Sequence, residues 1–178
     1  MLHRIFAAFT AVASLLCGQL AVADADADTR ALARDIFRQL IEINTADSAG
    51  SVTAASEAMA QRFRDAGFPA GDIHVLGATD VSKNLVVRLR GTGKKKPVLL
   101  LGHLDVVEAR REDWTTDPFK FVEKDGYYYG RGTVDMKDGD AIMVATLIRL
   151  KKEGYQPERD IILALTAGEE SGLNNGVA

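Results

Sequence analysis

Three short segments carry side chains able to do chemistry: Gly102-His103-Leu104-Asp105, Gly130-Arg131-Gly132-Thr133-Val134-Asp135 and Gly168-Glu169-Glu170-Ser171-Gly172. Each sits where a hydrophobic strand or a glycine turn gives way to the next element. Together they offer one imidazole and four carboxylates, a donor set suited to divalent zinc and to activation of water beside it. In His103-Leu104-Asp105 the alternation of an extended chain puts both polar side chains on one side. Asp105 can then accept from one ring nitrogen and fix the tautomer while the other nitrogen faces a metal. A loop histidine with a neighbouring acid is the plainer reading of the same residues. Asp135 follows two glycines and precedes a helix, so it reads as an N-cap or as a ligand. Asp138 is an equally good cap, which leaves Asp135 free. Glu169 and Glu170 either stabilise a helix N-terminus or divide two tasks, one binding metal and the other staying free as a general base.

The surrounding sequence supplies elements to position these groups. Leu32, Ile36, Leu40 and Ile43 recur at helical spacing, which predicts a helix over Thr29–Ile43 capped by Asp28 or Thr29. A loop follows. Ser51 or Thr53 then caps a second helix that reaches Asp65 and stops at Gly67. Ile73–Leu76 and Asn84–Leu89 read as strands, and Gly91-Thr92-Gly93 as a turn without a phosphate-loop pattern. Pro97–Leu101 and Ile161–Leu165 are continuous apolar runs of the kind buried on both faces of a sheet. Phe119–Val122 and Tyr127–Tyr129 predict a hairpin across Lys124-Asp125-Gly126, and Asp138–Leu150 a helix ending before Gly154. The order of elements predicts an α/β domain with helices on both faces of a sheet. In such sheets ligands gather beyond the carboxyl ends of the strands, where His103 and Asp105 stand. The aromatic residues of Trp114–Phe119 and Tyr127–Tyr129 are expected in the core.

The chain has 178 residues, 22 basic and 25 acidic, for a net charge of −3. This length allows one domain and the start of a second, and the charge argues against nucleic acid as a partner. Lys94-Lys95-Lys96 lies between Gly93 and Pro97 and reads as a solvated turn. Residues 1–23 read as a signal peptide: Arg4, an apolar run from Ile5 to Leu16, and Ala21-Val22-Ala23 ahead of Asp24. The run is too short to be a membrane anchor, so a periplasmic or secreted protein without membrane attachment after cleavage is expected. Cys17 is the only cysteine, so residues 24–178 hold neither a disulfide nor a thiol nucleophile. His74 and His103 are the only histidines after that segment, and nothing in the sequence brings His74 to the others.

From Pro97 to Gly176 the chain resembles the N-terminal catalytic half of the M20 family of co-catalytic zinc metallopeptidases. The resemblance rests on Gly102-His103-Leu104-Asp105-Val106-Val107, on Trp114-Thr115-Thr116-Asp117-Pro118-Phe119, and on Asp125-Gly126 through Tyr129-Gly130-Arg131-Gly132-Thr133-Val134-Asp135-Met136-Lys137. Glu169-Glu170-Ser171-Gly172 completes it. The family includes glutamate and Gly-X carboxypeptidases, aminoacylases, acetylornithine deacetylase and succinyl-diaminopimelate desuccinylase. The resemblance implies a three-layer zinc-peptidase-like α/β sheet flanked by helices, incomplete at the C-terminus, over residues 24–178. It implies two Zn2+ per complete site, with Co2+ or Mn2+ as substitutes. His103 would bind one zinc and Asp105 would orient it; Asp135 would bridge both zincs through a cis Asp135–Met136 peptide, and Glu170 would bind the second. Glu169 would be the general base for hydrolysis of an amide bond in a short peptide or N-acyl amino acid. The family has a further acidic ligand, a distant histidine and a lid domain that helps dimerise, none of which precedes Ala178. A truncated product, inactive alone, is therefore expected, with a homodimer as the expectation for a full-length form. The alternative is a non-catalytic binding or assembly domain derived from such a peptidase, against which Glu169 counts, since a binding module needs no general base.

Overall fold

The structure, a computed structural model, describes residues 27–172; the predicted signal segment 1–23 lies outside the described residues. The chain divides into two compact units, Met1–Leu32 and Ala33–Ala178, and the fold below is that of the second. Helix α1 occupies residues 27–42. It is already under way at residue 27, so Asp28 and Thr29 lie inside it and do not cap it. Its Ile36, Leu40 and Ile41 are fully buried, following the 3.6-residue repeat.

Helix α2, Val52–Asp65, starts where the Ser51 side chain accepts from the Ala54 N–H at 3.2 Å, the ordinary N-cap bond. It ends in a Schellman turn: Phe68 N–H donates to Phe63 O and Gly67 N–H to Arg64 O. Gly67 takes φ +80°, and Phe63 and Phe68 close the turn edge to face, ring centres 5.0 Å apart.

Strands β1 (Ile73–Leu76), β2 (Asn84–Leu89), β3 (Val98–His103) and β6 (Ile161–Thr166) form one mixed sheet in the order β1-β2-β6-β3. Only β3 and β6 run parallel. Strands β4 (Val122–Lys124) and β5 (Tyr127–Tyr129) make a separate hairpin. The register places Leu85, Val87, Leu163 and Leu165 on one face, all fully buried. Burial of each such side chain contributes roughly 1.5–3 kcal/mol. Helix α2 packs on this face over β1 and β2, and helix α3, Lys137–Lys152, on its β3 side, where Met143 and Asp140 lie against Gly102. The result is a mixed α/β fold, a sheet flanked by helices.

Several expectations need correction. The run Pro97–Leu101 is not buried on both faces: β3 is an edge strand among the described residues, and Leu99 and Leu101 are each 57% exposed on the face turned away from α3. The described helices cover the other face only. The hairpin's first strand begins at Val122 because Asp117 holds the chain in a turn before it, accepting from Phe119 N–H and Lys120 N–H. The tyrosines of β5 are exposed rather than core, although the Tyr128 ring lies tilted against Phe121 and meets Phe37 edge to face. Asp138 is not the cap of α3. Met136 occupies that position without a side-chain bond, and Asp138 accepts from the adjacent Gly139 N–H. The three lysines 94–96 are exposed in a bend, as expected.

Candidate metal centre

His103 is the last residue of β3 and pairs with Thr166, the last of β6. The two parallel strands end level with each other, so the loops that follow them emerge side by side. One loop carries Asp105, the other Glu169 and Glu170. The third contribution comes from the loop between β5 and α3, which delivers Asp135. Lys137 N–H donates to Gly132 O at 3.0 Å and Arg131 N–H to Pro118 O at 2.7 Å, closing this loop on itself and on the hairpin approach. Gly132 sits at φ +86°, a conformation that favours glycine. The Asp135–Met136 peptide bond is cis.

These connections bring His103, Asp135 and Glu170 together: one ligand atom of each lies within 4.8 Å of the other two. His103 Nε2 is 3.0 Å from Asp135 Oδ1. Its Nδ1 is 3.1 Å from the Asp105 carbonyl and 3.6 Å from Asp105 Oδ1. Asp105 Oδ2 accepts from the Glu170 N–H at 2.8 Å, so one buried carboxylate touches two of the three loops. His103 and Asp105 are buried; the Asp135 side chain is 73% exposed. Glu169 is exposed and outside the triad, and His74 lies on β1 with its ring on Gly71 O.

The electrostatics follow from this packing. The Asp105 carboxylate lifts the His103 pKa to about 9 against the opposing effect of burial, with help from the Asp105 carbonyl and Asp135. Burial pushes Asp105 upward, but the His103 ring and the Glu170 N–H outweigh it and hold the carboxyl below its ordinary value. Burial, then the charge of Asp135, pushes Glu170 up.

Donor atoms bound to one zinc at about 2.0–2.1 Å stand about 3.4 Å apart in a tetrahedral site. The His103–Asp135 separation is near that figure, and a small inward movement of Glu170 would complete it. Three protein donors is also the number that catalytic zinc sites use with one position left open, and imidazole nitrogen and carboxylate oxygen are both ordinary zinc donors. A cavity of 350 Å³ opens beside the triad, lined by Trp114, Arg131, Thr133, Asp135 and Glu170 among others. The Arg131 guanidinium lies over the Trp114 ring, 5.1 Å from its centre. A second cavity of 490 Å³ meets the first at Glu170.

Two buried charged residues escaped the sequence reading. Lys137 and Asp140 are fully buried in the first turn of α3. Burial pushes Lys137 down and Asp140 up, each offset in part by the other's charge. A lysine and an aspartate three apart near a helix start read as a solvated face, and nothing in the sequence marks them as interior.

Residues 99–178 match the sequence profile of Peptidase family M20/M25/M40. Over 98 residues the chain is 45% identical to a probable succinyl-diaminopimelate desuccinylase of Staphylococcus aureus (strain Mu50), covering 54% of this chain and 24% of that protein. It is 33% identical over 144 residues to aminoacylase-1 of Sus scrofa, covering 80% and 35%. The fold matches human carnosine dipeptidase 1 with a TM-score of 0.69 at 20% identity, over 85% of this chain and 34% of that one. The chain thus spans about a quarter to a third of the length of these relatives. By this match the stretch 99–178, with His103, Asp105, Asp135 and Glu170 inside it, belongs to peptidase family M20/M25/M40, a family of metallopeptidases and related amidohydrolases.

Proposed function

We propose that this chain carries the zinc-binding part of an amide hydrolase acting on short peptides or N-acyl amino acids. The observation that carries the reading is the convergence of His103, Asp135 and Glu170 within 4.8 Å from the end of β3 and two separate loops. Bound zinc would supply Lewis acidity toward the amide carbonyl and acidify water. His103, Asp135 and Glu170 hold it. Asp105 orients the His103 ring by accepting at Nδ1, which leaves Nε2 toward the centre. Glu169, adjacent to a ligand yet outside the triad, takes the proton of the attacking water and returns it to the leaving amine. Asp135, whose carboxylate is largely exposed, would be the donor open to a second zinc. That second zinc needs more ligands than the described residues bring to the cluster.

Elemental analysis of the purified 178-residue chain after dialysis, beside a His103→Ala variant, tests the metal reading. Zinc bound to the unsubstituted chain and lost in the variant supports it; no zinc in either overturns it. A panel of dipeptides and N-acyl amino acids tests the activity, for which metal-dependent release of free amine is the expected result. We also propose export to the periplasm or medium, from the segment 1–23. N-terminal sequencing of exported protein should begin at Asp24, and Met1 there would refute cleavage.

A further inference from the structure

We propose that Lys137 and Asp140 are positioning residues of the metal centre: from the first turn of α3 they fix the Asp135 loop and the His103 strand end relative to each other. Lys137 acts on the Asp135 side. Its Nζ donates to Leu40 O at 2.8 Å and Ile43 O at 3.0 Å, capping the carbonyl end of α1 from inside the protein. Its stem packs on Gly132, where an added Cβ would stand 3.0 Å from Lys137 Cδ and 2.9 Å from Val106 Cγ1. One side chain therefore joins the ligand loop to α1, two residues from Asp135.

Asp140 acts on the His103 side. Its carboxyl fills the space beside Gly102: an added Cβ there would lie 2.2 Å from Asp140 Oδ1. Gly102 immediately precedes His103, and its carbonyl accepts from Thr166 Oγ1 at 3.1 Å. Glycine at 102 is thus explained by the carboxyl that occupies its side-chain space. Neither Asp140 oxygen has a hydrogen-bond partner in the structure. Burying a carboxyl in this way is unfavourable, and an apolar residue would fill the position at lower cost to the fold. The pair stands where Lys137 touches the segment before Asp135 and Asp140 the residue before His103. It acts through His103 and Asp135 and touches no reacting atom.

The inference rests on the metal reading, so its test has one readout that needs zinc and one that does not. Zinc affinity by chelator competition and, in metal-free protein, the imidazole 15N resonances of His103 are compared in Lys137→Met, Asp140→Ala, Gly102→Ala and the double variant Gly102→Ala/Asp140→Ala. Leu147→Ala, buried on the same helix, controls for mere loss of stability. Lys137→Met and Asp140→Ala should each weaken zinc binding about 10–100-fold and shift the His103 resonances, while Leu147→Ala changes neither. Gly102→Ala should weaken binding alone yet add nothing to Asp140→Ala, because the methyl enters space the carboxyl has vacated. Additive losses, or single variants within about twofold of the parent, overturn the proposal. If Lys137→Met does not fold, the Gly102–Asp140 cycle decides alone. If the parent binds no zinc, the metal reading fails, and the resonances still decide: unchanged shifts refute the positioning role.

Discussion

Glu169 and Glu170 are adjacent and chemically identical, yet the structure separates them. Glu170 joins the candidate metal-binding triad and its backbone N–H is bound to Asp105; Glu169 is exposed and outside it. Substituting Glu170 by alanine removes the carboxylate but keeps the backbone bond to Asp105, so the perturbation is confined to the ligand. Structural zinc sites are worth about 10–16 kcal/mol at pH 7. Divided over four ligands, that is about 3 kcal/mol for one, or a loss of roughly 10²–10³ in zinc affinity. Glu169→Ala should change zinc affinity by less than about threefold while abolishing hydrolysis of any amide the parent cleaves. Chelator competition measures the first and amine release the second. In metal-free protein Glu170→Ala should raise the melting temperature slightly, since burial and Asp135 both disfavour the Glu170 charge. Exposure limits that gain to about 1 kcal/mol or less. Equal zinc losses in the two variants, or zinc retained in Glu170→Ala, would refute this division of labour.

Three further outcomes follow from the fold. Leu165→Ala should cost about 2–5 kcal/mol in urea unfolding, whereas Leu101→Ala, on the half-exposed face, should cost less than about 1 kcal/mol; equal losses would mean both faces are covered. Gly132→Ala meets a positive φ and the Val106 side chain, and should destabilise by about 2 kcal/mol or more; an unchanged melting temperature would argue against this loop conformation. Asp160 accepts from the Gly91 N–H and pairs with Arg88, which together hold its pKa below the ordinary value. A depressed carboxylate stabilises the fold above its unfolded pKa near 3.9 and loses that contribution as pH falls through the folded value. Asp160→Asn should therefore be less stable than the parent at neutral pH, with a difference that shrinks below about pH 4; a constant difference would refute the assignment.

The elements legible in the sequence are those whose boundaries are set locally. Ser51 and Gly67 bound α2 through their own backbone and side-chain bonds, and the strands Ile73–Leu76 and Asn84–Leu89 end where predicted because turn residues flank them. Where tertiary neighbours decide, the reading stops. The leucines of β3 look alike in sequence, and only the sheet order leaves Leu99 and Leu101 on a half-open face. Asp138 has the chemistry of a cap, but the chain entering α3 through Gly132 gives that place to Met136. The candidate donors His103, Asp135 and Glu170 were legible by type, and the neighbourhood of His103 and Asp105 by spacing, although the ring nitrogen bonds the Asp105 carbonyl and the Asp105 carboxylate stands at 3.6 Å. The convergence of the three donors was not legible, because it depends on β3 and β6 ending level in parallel register. Lys137 stands in a motif that carries the family resemblance, but neither it nor Asp140 showed any sign of burial in sequence, since burial of a charge is a property of the assembled fold.

The charges of the candidate centre would favour a divalent cation. Asp105, Asp135 and Glu170 bring three carboxyl groups to a single imidazole, and the metal-free site answers by holding a proton on His103 up to about pH 9 and by resisting ionisation of Glu170. The first reflects the carboxyl groups beside the ring, and the second reflects burial of the Glu170 carboxyl, then the charge of Asp135. A proton satisfies only the His103–Asp135 contact and leaves Glu170 strained against Asp135. A dication at the same point would meet all three donors and relieve the repulsion between the two carboxylates, with Asp105 still fixing the ring from behind. In the metal-free fold the pairing of His103 with Asp105 and Asp135 is favourable and only the Glu170 carboxylate is not; a cation would relieve that one group, while the level ends of β3 and β6 and the first turn of α3 hold the donor segments together.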